Sequence, residues 1–138
     1  MKRTLRHIVL FIALPLLSGA LVYLLFREPV PLITRLFGIR SMIIDVSCLP
    51  GPLASFIRYH LADALFAFAL AATLRLFISN GWVACGLAIL YMTAYQLLQL
   101  LGVINGTADV WDVLWSAVFV GIYKIWEEFA CRKKSKRS

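Results

Sequence analysis

The sequence contains apolar runs that are long enough to cross a membrane as helices. The first run covers residues 8–26 and carries no charged side chain. Since an α-helix rises about 1.5 Å per residue, about 20 residues cross the roughly 30 Å of hydrocarbon in a bilayer. Three later segments of similar length are also predominantly apolar. We therefore predict four transmembrane helices, at about residues 8–26, 55–78, 82–101 and 110–129.

The composition places the chain among membrane proteins. Its 138 residues are 62% hydrophobic and 15% charged, whereas soluble domains are about 45–50% apolar and about 25% charged. The fold class that we predict is all-α, a polytopic membrane protein built as a four-transmembrane-helix bundle. With this length, residues 1–138 form a single membrane domain.

The first apolar run and the segment that follows it need separate interpretations. A basic start followed by small residues at 18–20 is also typical of a cleaved signal peptide, but the apolar run continues to residue 26 and favours a retained anchor. Residues 27–52 form the longest segment between spans and are punctuated by prolines. A short interfacial helix is predicted in this first outer loop, because apolar residues recur there at helical spacing: Leu32, Ile33, Leu36 and Phe37.

Positive charge is distributed unequally between the two sides of the predicted bundle. The net charge is +7, with 14 lysines and arginines. Ten of these fall on the side that holds both termini and the basic tail, residues 130–138, and four fall on the other side: Arg27, Arg35, Arg40 and Arg58. The positive-inside rule then places both termini in the cytoplasm. The location that we expect for this multi-pass protein is the inner (plasma) membrane.

This charge placement also bears on partners and cofactors. Basic ends that flank membrane spans attract anionic lipid headgroups, so membrane lipids are the expected partners and nucleic acid is not. A second copy of the chain or other envelope proteins are alternative partners. Since the sequence has no CxxC or HExxH motif and no phosphate-binding glycine loop, we expect no metal and no cofactor.

Polar residues recur three positions apart toward one end of three predicted spans. Asp63 precedes Arg75 by twelve residues, and Asp112 precedes Lys124 by twelve. If both cations reach the same interface, both carboxylates lie at a similar depth. Ionisable groups at such depths usually face a bundle interior or a wet cavity. We predict one pocket, open to the outer surface and lined by these residues: His60, Asp63, Tyr95, Gln96, Gln99, Asp109, Asp112 and Ser116.

Structural roles are open for the same residues. Asp109 and Asp112 have the positions of helix-capping residues at the start of the fourth span. His60 would also fit an exposed turn, and the glutamines would also fit hydrogen bonds between helices. Asp63 lies too far inside its helix to cap it, which favours a functional role or a buried pair.

Residues 95–99 and 106–112 resemble the VanZ-like membrane family. The family hallmark is Glu-x-x-Gln at the end of one span, then Arg-x-x-Asp-x-x-Asp at the start of the next, with Asn one turn later. Gln99, Asp109 and Asp112 match this hallmark, whereas Gln96, Gly106 and Ser116 stand in place of its Glu, Arg and Asn. The resemblance implies a divergent member of a bacterial cell-envelope family whose proteins have four or five spans, some of them associated with glycopeptide resistance.

Three classes of function are consistent with these observations. The first is a non-catalytic envelope protein whose outer pocket binds a lipid or cell-wall headgroup. The second is a membrane enzyme that acts on a lipid-linked substrate, with Asp63 or Asp112 as general base and His60 as proton shuttle. The third is a carrier for a small solute or ion. The sequence does not decide whether the protein is an enzyme.

Overall fold

The fold is taken from a computed structural model of the chain, which describes residues 2–26, 50–104 and 107–135. All regular secondary structure in these residues is helical, as predicted. The interfacial helix predicted near residues 32–37 lies outside the described residues.

The described residues form four helices. Helix α1 covers residues 2–26 as three continuous segments, Lys2–Ile8, Val9–Ala13 and Leu14–Phe26. The other three are α2 (Gly51–Phe77), α3 (Gly81–Leu100) and α4 (Val110–Ser135). Helices α2 and α3, and Leu5–Phe26 of α1, are long and apolar enough to cross a membrane. Several such helices are compatible with a multi-pass membrane protein.

Local sequence signals explain where α2, α3 and α4 begin. Helix α2 starts at the Pro50-Gly51-Pro52 sequence, where a proline in the first turn costs no hydrogen bond. The side chain of Asn80 caps α3 by accepting hydrogen bonds from the backbone N–H groups of Trp82 and Val83, at 3.0 and 3.4 Å. Asp109 caps α4 in the same way.

Helix α2 lies at the centre of the bundle and packs against the other three helices. Its packing faces consist largely of alanine, since five alanines of α2 are buried. Small side chains allow helix backbones to approach closely, which is how membrane helices commonly associate. At the α1 contact, a Cβ added to Gly19 would already lie 3.4 Å from the carbonyl oxygen of Ala62.

Helices α2 and α4 run parallel and in register. Near one end His60 pairs with Asp112, and near the other Arg75 pairs with Glu127; both pairs are 52 residues apart in sequence. Fifteen residues therefore separate the two pairs on each helix, a distance of about 22 Å. Between them lies a core whose largest fully buried side chains are Tyr123 and Val120.

Candidate functional site

Asp112 is the centre of a buried hydrogen-bonded network that joins three helices. Its Oδ1 lies 2.6 Å from Nδ1 of His60 on α2, and its Oδ2 accepts a hydrogen bond from Nε2 of Gln96 on α3 at 3.0 Å. Gln96 Oε1 accepts a bond from the backbone N–H of Asp109 at 3.1 Å. His60, Asp112 and Gln96 are all buried residues. We call these four residues the Asp112 network.

The direction of each hydrogen bond in the Asp112 network is fixed by the chemistry of its groups. The Gln96 oxygen must face the Asp109 N–H, so its NH₂ group faces Asp112. The Asp112 carboxylate can only accept, and His60 must therefore carry a proton on Nδ1. In a neutral imidazole this leaves Nε2 as a proton acceptor, which is the arrangement of a carboxylate-oriented histidine base.

Two features of the backbone position these side chains. Asp109 caps α4, because its Oδ1 accepts from the backbone N–H of Trp111 at 2.9 Å. In α2 the five residues Phe56–His60 form a π-helical turn, closed by a bond from the Leu61 N–H to the Phe56 carbonyl. Such turns are rare and are often found at functional sites. Here the π turn ends at the histidine of the Asp112 network.

A cavity of about 370 Å³ lies beside the Asp112 network, between the start of α2 and the start of α4. The rings of Phe56 and Trp115 pack together in its wall, with centroids 4.5 Å apart. Tyr59 and Trp111 are about half exposed at its edge. We call it the aromatic pocket, and its lining residues are Pro52, Ser55, Phe56, Tyr59, His60, Asp109, Trp111 and Trp115.

Four of the eight predicted site residues form the Asp112 network, and two others line a different cavity. Asp63 and Tyr95 border a space of about 240 Å³ between α2 and α3, together with Phe66, Tyr91 and Met92. The remaining two are Gln99 and Ser116. Gln99 Oε1 and Ser116 Oγ are buried without a hydrogen-bond partner among the described residues.

The register of α2 against α4 differs by three residues from the equal depth that the sequence predicted for Asp63 and Asp112. Because Asp63 precedes Arg75 and Asp112 precedes Lys124 by twelve residues each, the sequence predicted that the two aspartates lie at the same depth. In the structure His60, three residues earlier, pairs with Asp112, which is a difference of about 4.5 Å along the helix. The same offset is found at the other end of the helices, where Arg75 pairs with Glu127 and so does not lie level with Lys124.

Glu127 is the acceptor of a second polar network that sequence reasoning did not identify. It binds Nε of Arg75 on α2, and its Oε2 lies 3.1 Å from Nζ of Lys124. Its side chain is only 12% exposed. The Lys124 ammonium also lies 5.1 Å from the ring centroid of Trp82, within cation–π range. We call Arg75, Lys124 and Glu127 the Glu127 network.

The close approach of α3 to the Glu127 network leads to a prediction for two glycines of α3. A Cβ at Gly81 would overlap Glu127 Oε2 and lie 2.9 Å from Lys124 Nζ, whereas a Cβ at Gly86 has no neighbour within 4 Å among the described residues. We expect Gly81→Ala to lower the free energy of unfolding by about 1–2 kcal/mol. Gly86→Ala should be neutral or stabilising, since alanine favours helix. Unfolding in detergent micelles measures both, and equal effects would contradict the prediction.

Comparisons with known proteins do not extend this description. The chain matches no family model, no curated protein and no solved structure. The described residues also contain no group of three or more His, Cys, Asp or Glu side chains placed to hold a metal ion. The VanZ-like resemblance therefore stays a prediction from sequence.

Proposed function

We propose that the chain is a divergent VanZ-like protein of the bacterial inner membrane, with four spans and both termini in the cytoplasm. We further propose that the aromatic pocket binds a lipid or cell-wall headgroup at the outer leaflet. The observation that carries the proposal is the position of this pocket beside a buried polar network at one end of the bundle.

The register of α4 with α2 supports a fourth span. Helix α2 is long and apolar enough to cross a membrane, and α4 accompanies it in parallel between two pairs that lie about 22 Å apart. A helix held in this way crosses the same layer as its partner. Between Asp112 and Lys124 the sequence of α4 contains no charged residue, so the segment inside that layer is apolar.

The distribution of basic residues supports the proposed orientation, in which both termini lie in the cytoplasm. Five of the 14 lysines and arginines follow residue 130, at the end of α4 that carries the Glu127 network. The positive-inside rule assigns this end to the cytoplasm. The Asp112 network and the aromatic pocket then lie at the opposite, outer leaflet.

The chemistry of the aromatic pocket suits a headgroup. Tryptophan and tyrosine rings are enriched at the membrane–water interface, where one part of the side chain meets lipid and another meets water. Trp111 and Tyr59 have this half-exposed character. His60 and Asp109 add hydrogen-bonding groups to the same cavity, as is typical of sites with apolar walls and a few placed polar groups.

The proposal is tested by filling the aromatic pocket. Ser55 lines it and Leu53 does not, although both are exposed on the first turns of α2. We expect Ser55→Trp to lower the occupancy of co-purified lipid by on the order of tenfold, equivalent to about 1.4 kcal/mol, and Leu53→Trp to leave it unchanged. Native mass spectrometry of protein released from nanodiscs measures the occupancy. Equal occupancy in both variants would contradict binding in this pocket.

A membrane enzyme is the second candidate, and the His60–Asp112 pair favours it. A carboxylate that orients an imidazole beside a cavity is an arrangement used for general base catalysis. This candidate requires that purified protein converts a labelled lipid-linked substrate, and that His60→Gln stops conversion while lipid occupancy persists. An unchanged rate in His60→Gln would remove His60 from the chemistry.

A further inference from the structure

The aromatic pocket combines several ring systems with negative charge. We propose that it selects headgroups that carry an alkylammonium group, of the ethanolamine or choline kind. This inference rests on the proposed binding function and specifies its ligand class.

The lining of the aromatic pocket is rich in aromatic rings. Its lining includes rings from two helices, two on α2 and two on α4: Phe56, Tyr59, Trp111 and Trp115. The face of an aromatic ring is negative, and tryptophan attracts a cation more strongly than tyrosine or phenylalanine. Quaternary and methylated ammonium groups are bound elsewhere by sets of such rings. The composition of the walls therefore fits an organic cation.

The charged groups at the aromatic pocket have the sign that an ammonium group requires. Asp109 is an acidic residue of the lining. Behind the lining, Asp112 pairs with His60. If His60 is protonated, that pair is neutral and Asp109 leaves one negative charge; if His60 is neutral, there are two. Among the described residues, the charged groups at the pocket sum to a negative charge in both states, which favours an ammonium group over a headgroup that carries only negative charge.

The nearest arginine of α2 does not reverse this sign. Arg58 lies two residues before His60, but it is not part of the pocket lining. Its Nε donates toward the carbonyl oxygen of Phe26, at the end of α1, at 3.4 Å. Its guanidinium is thus directed to another face of α2.

The experiment compares headgroups of different charge in one membrane. Full-length protein is placed in nanodiscs with equal amounts of phosphatidylethanolamine, phosphatidylcholine and phosphatidylglycerol, and retained lipids are identified by native mass spectrometry. The two ammonium lipids are supplied in twofold excess over phosphatidylglycerol. After correction for this ratio, we expect the retained amount of ammonium lipid to exceed that of phosphatidylglycerol by about tenfold or more.

Two substitutions separate charge and ring effects from loss of folding. Asp109→Asn removes the charge, but asparagine still caps a helix, and we expect the ammonium preference to fall about threefold to fivefold. Trp111→Leu should cause a similar fall, and Trp111→Phe a smaller one, because phenylalanine keeps a ring face. Trp82→Leu is the matched control, since Trp82 is also exposed but lies at the Glu127 network.

The outcomes distinguish this inference from the proposed function. Lipid retained without regard to headgroup charge would overturn the ammonium inference and leave headgroup binding intact. If no lipid is retained, both the ammonium inference and the proposed headgroup binding are overturned, with one exception. The exception is that the soluble probes phosphocholine and tetramethylammonium quench Trp111 and Trp115 fluorescence while glycerol phosphate does not. That last result would support ammonium recognition and overturn a lipid as its source.

Discussion

Replacing Asp112 with alanine should lower the free energy of unfolding by about 3 kcal/mol. The substitution leaves two buried donors, His60 Nδ1–H and Gln96 Nε2–H, without their acceptor, and an unpaired buried donor costs about 1–3 kcal/mol. The measurement is equilibrium unfolding in mixed micelles. A loss below about 1 kcal/mol would show that water or lipid replaces Asp112 easily, and that the network is not buried in solution.

Asparagine at position 112 is the informative control for this prediction. Its oxygen accepts from Gln96, and its NH₂ group donates to His60 Nδ1 if the histidine moves its proton to Nε2. We therefore expect Asp112→Asn to cost much less than Asp112→Ala and to reverse the His60 tautomer. Nitrogen NMR spectroscopy distinguishes the two tautomers, and an unchanged tautomer would contradict the hydrogen-bond directions assigned here.

Removing the Glu127 carboxylate should have an effect of similar size. Glu127→Ala deprives Arg75 and Lys124 of the acceptor that they share, and breaking a buried ion pair by removing one partner costs about 3–5 kcal/mol. Because the Arg75 side chain is 29% exposed, we expect about 3 kcal/mol. Unfolding of the same micellar sample provides the value.

Glu128 is the matched control for Glu127. Its side chain is 43% exposed and lies 3.5 Å from Lys124, so Glu128→Ala should cost less than about 1 kcal/mol, as exposed pairs do. A second comparison uses the double variant Arg75→Met with Glu127→Met, which should recover much of the loss because Arg75 and Glu127 are removed together and Lys124 keeps Glu128 as a partner. Equal effects at 127 and 128 would contradict the role given to Glu127.

Hydropathy predicted the helices well because it depends on local sequence. The prediction of an all-helical chain is confirmed for the described residues, and the expected spans at 55–78 and 82–101 agree with α2 and α3 within a few residues. Helix α4 extends beyond the predicted span to Ser135. Basic residues after the apolar segment continue the helix, and their charge hides this extension from a hydropathy pattern.

The candidate site could be predicted only in outline. Polar spacing suggested that His60, Gln96, Asp109 and Asp112 lie near one another, and the structure joins them by hydrogen bonds. The spacing could not determine helix rotation, which directs Asp63 to the cavity between α2 and α3. Nor could it set the register of α2 against α4, because equal spacing from Arg75 and Lys124 implies an offset three residues away from the observed one.

Glu127 shows a different limit of sequence reasoning. It stands three residues after Lys124 and close to the basic tail, where an acidic residue is easily interpreted as part of a solvated helix end. Its importance comes from Arg75, which is distant in sequence. The only local indication was the Lys124–Glu127 spacing of three, which is common on exposed helices.

The double attachment between α2 and α4 limits how the protein can change shape. The His60–Asp112 and Arg75–Glu127 pairs lie about 22 Å apart. Helices α2 and α4 therefore cannot slide past each other by one helical turn, about 5.4 Å, without breaking both pairs at once. We therefore expect α2 and α4 to move together as one rigid unit.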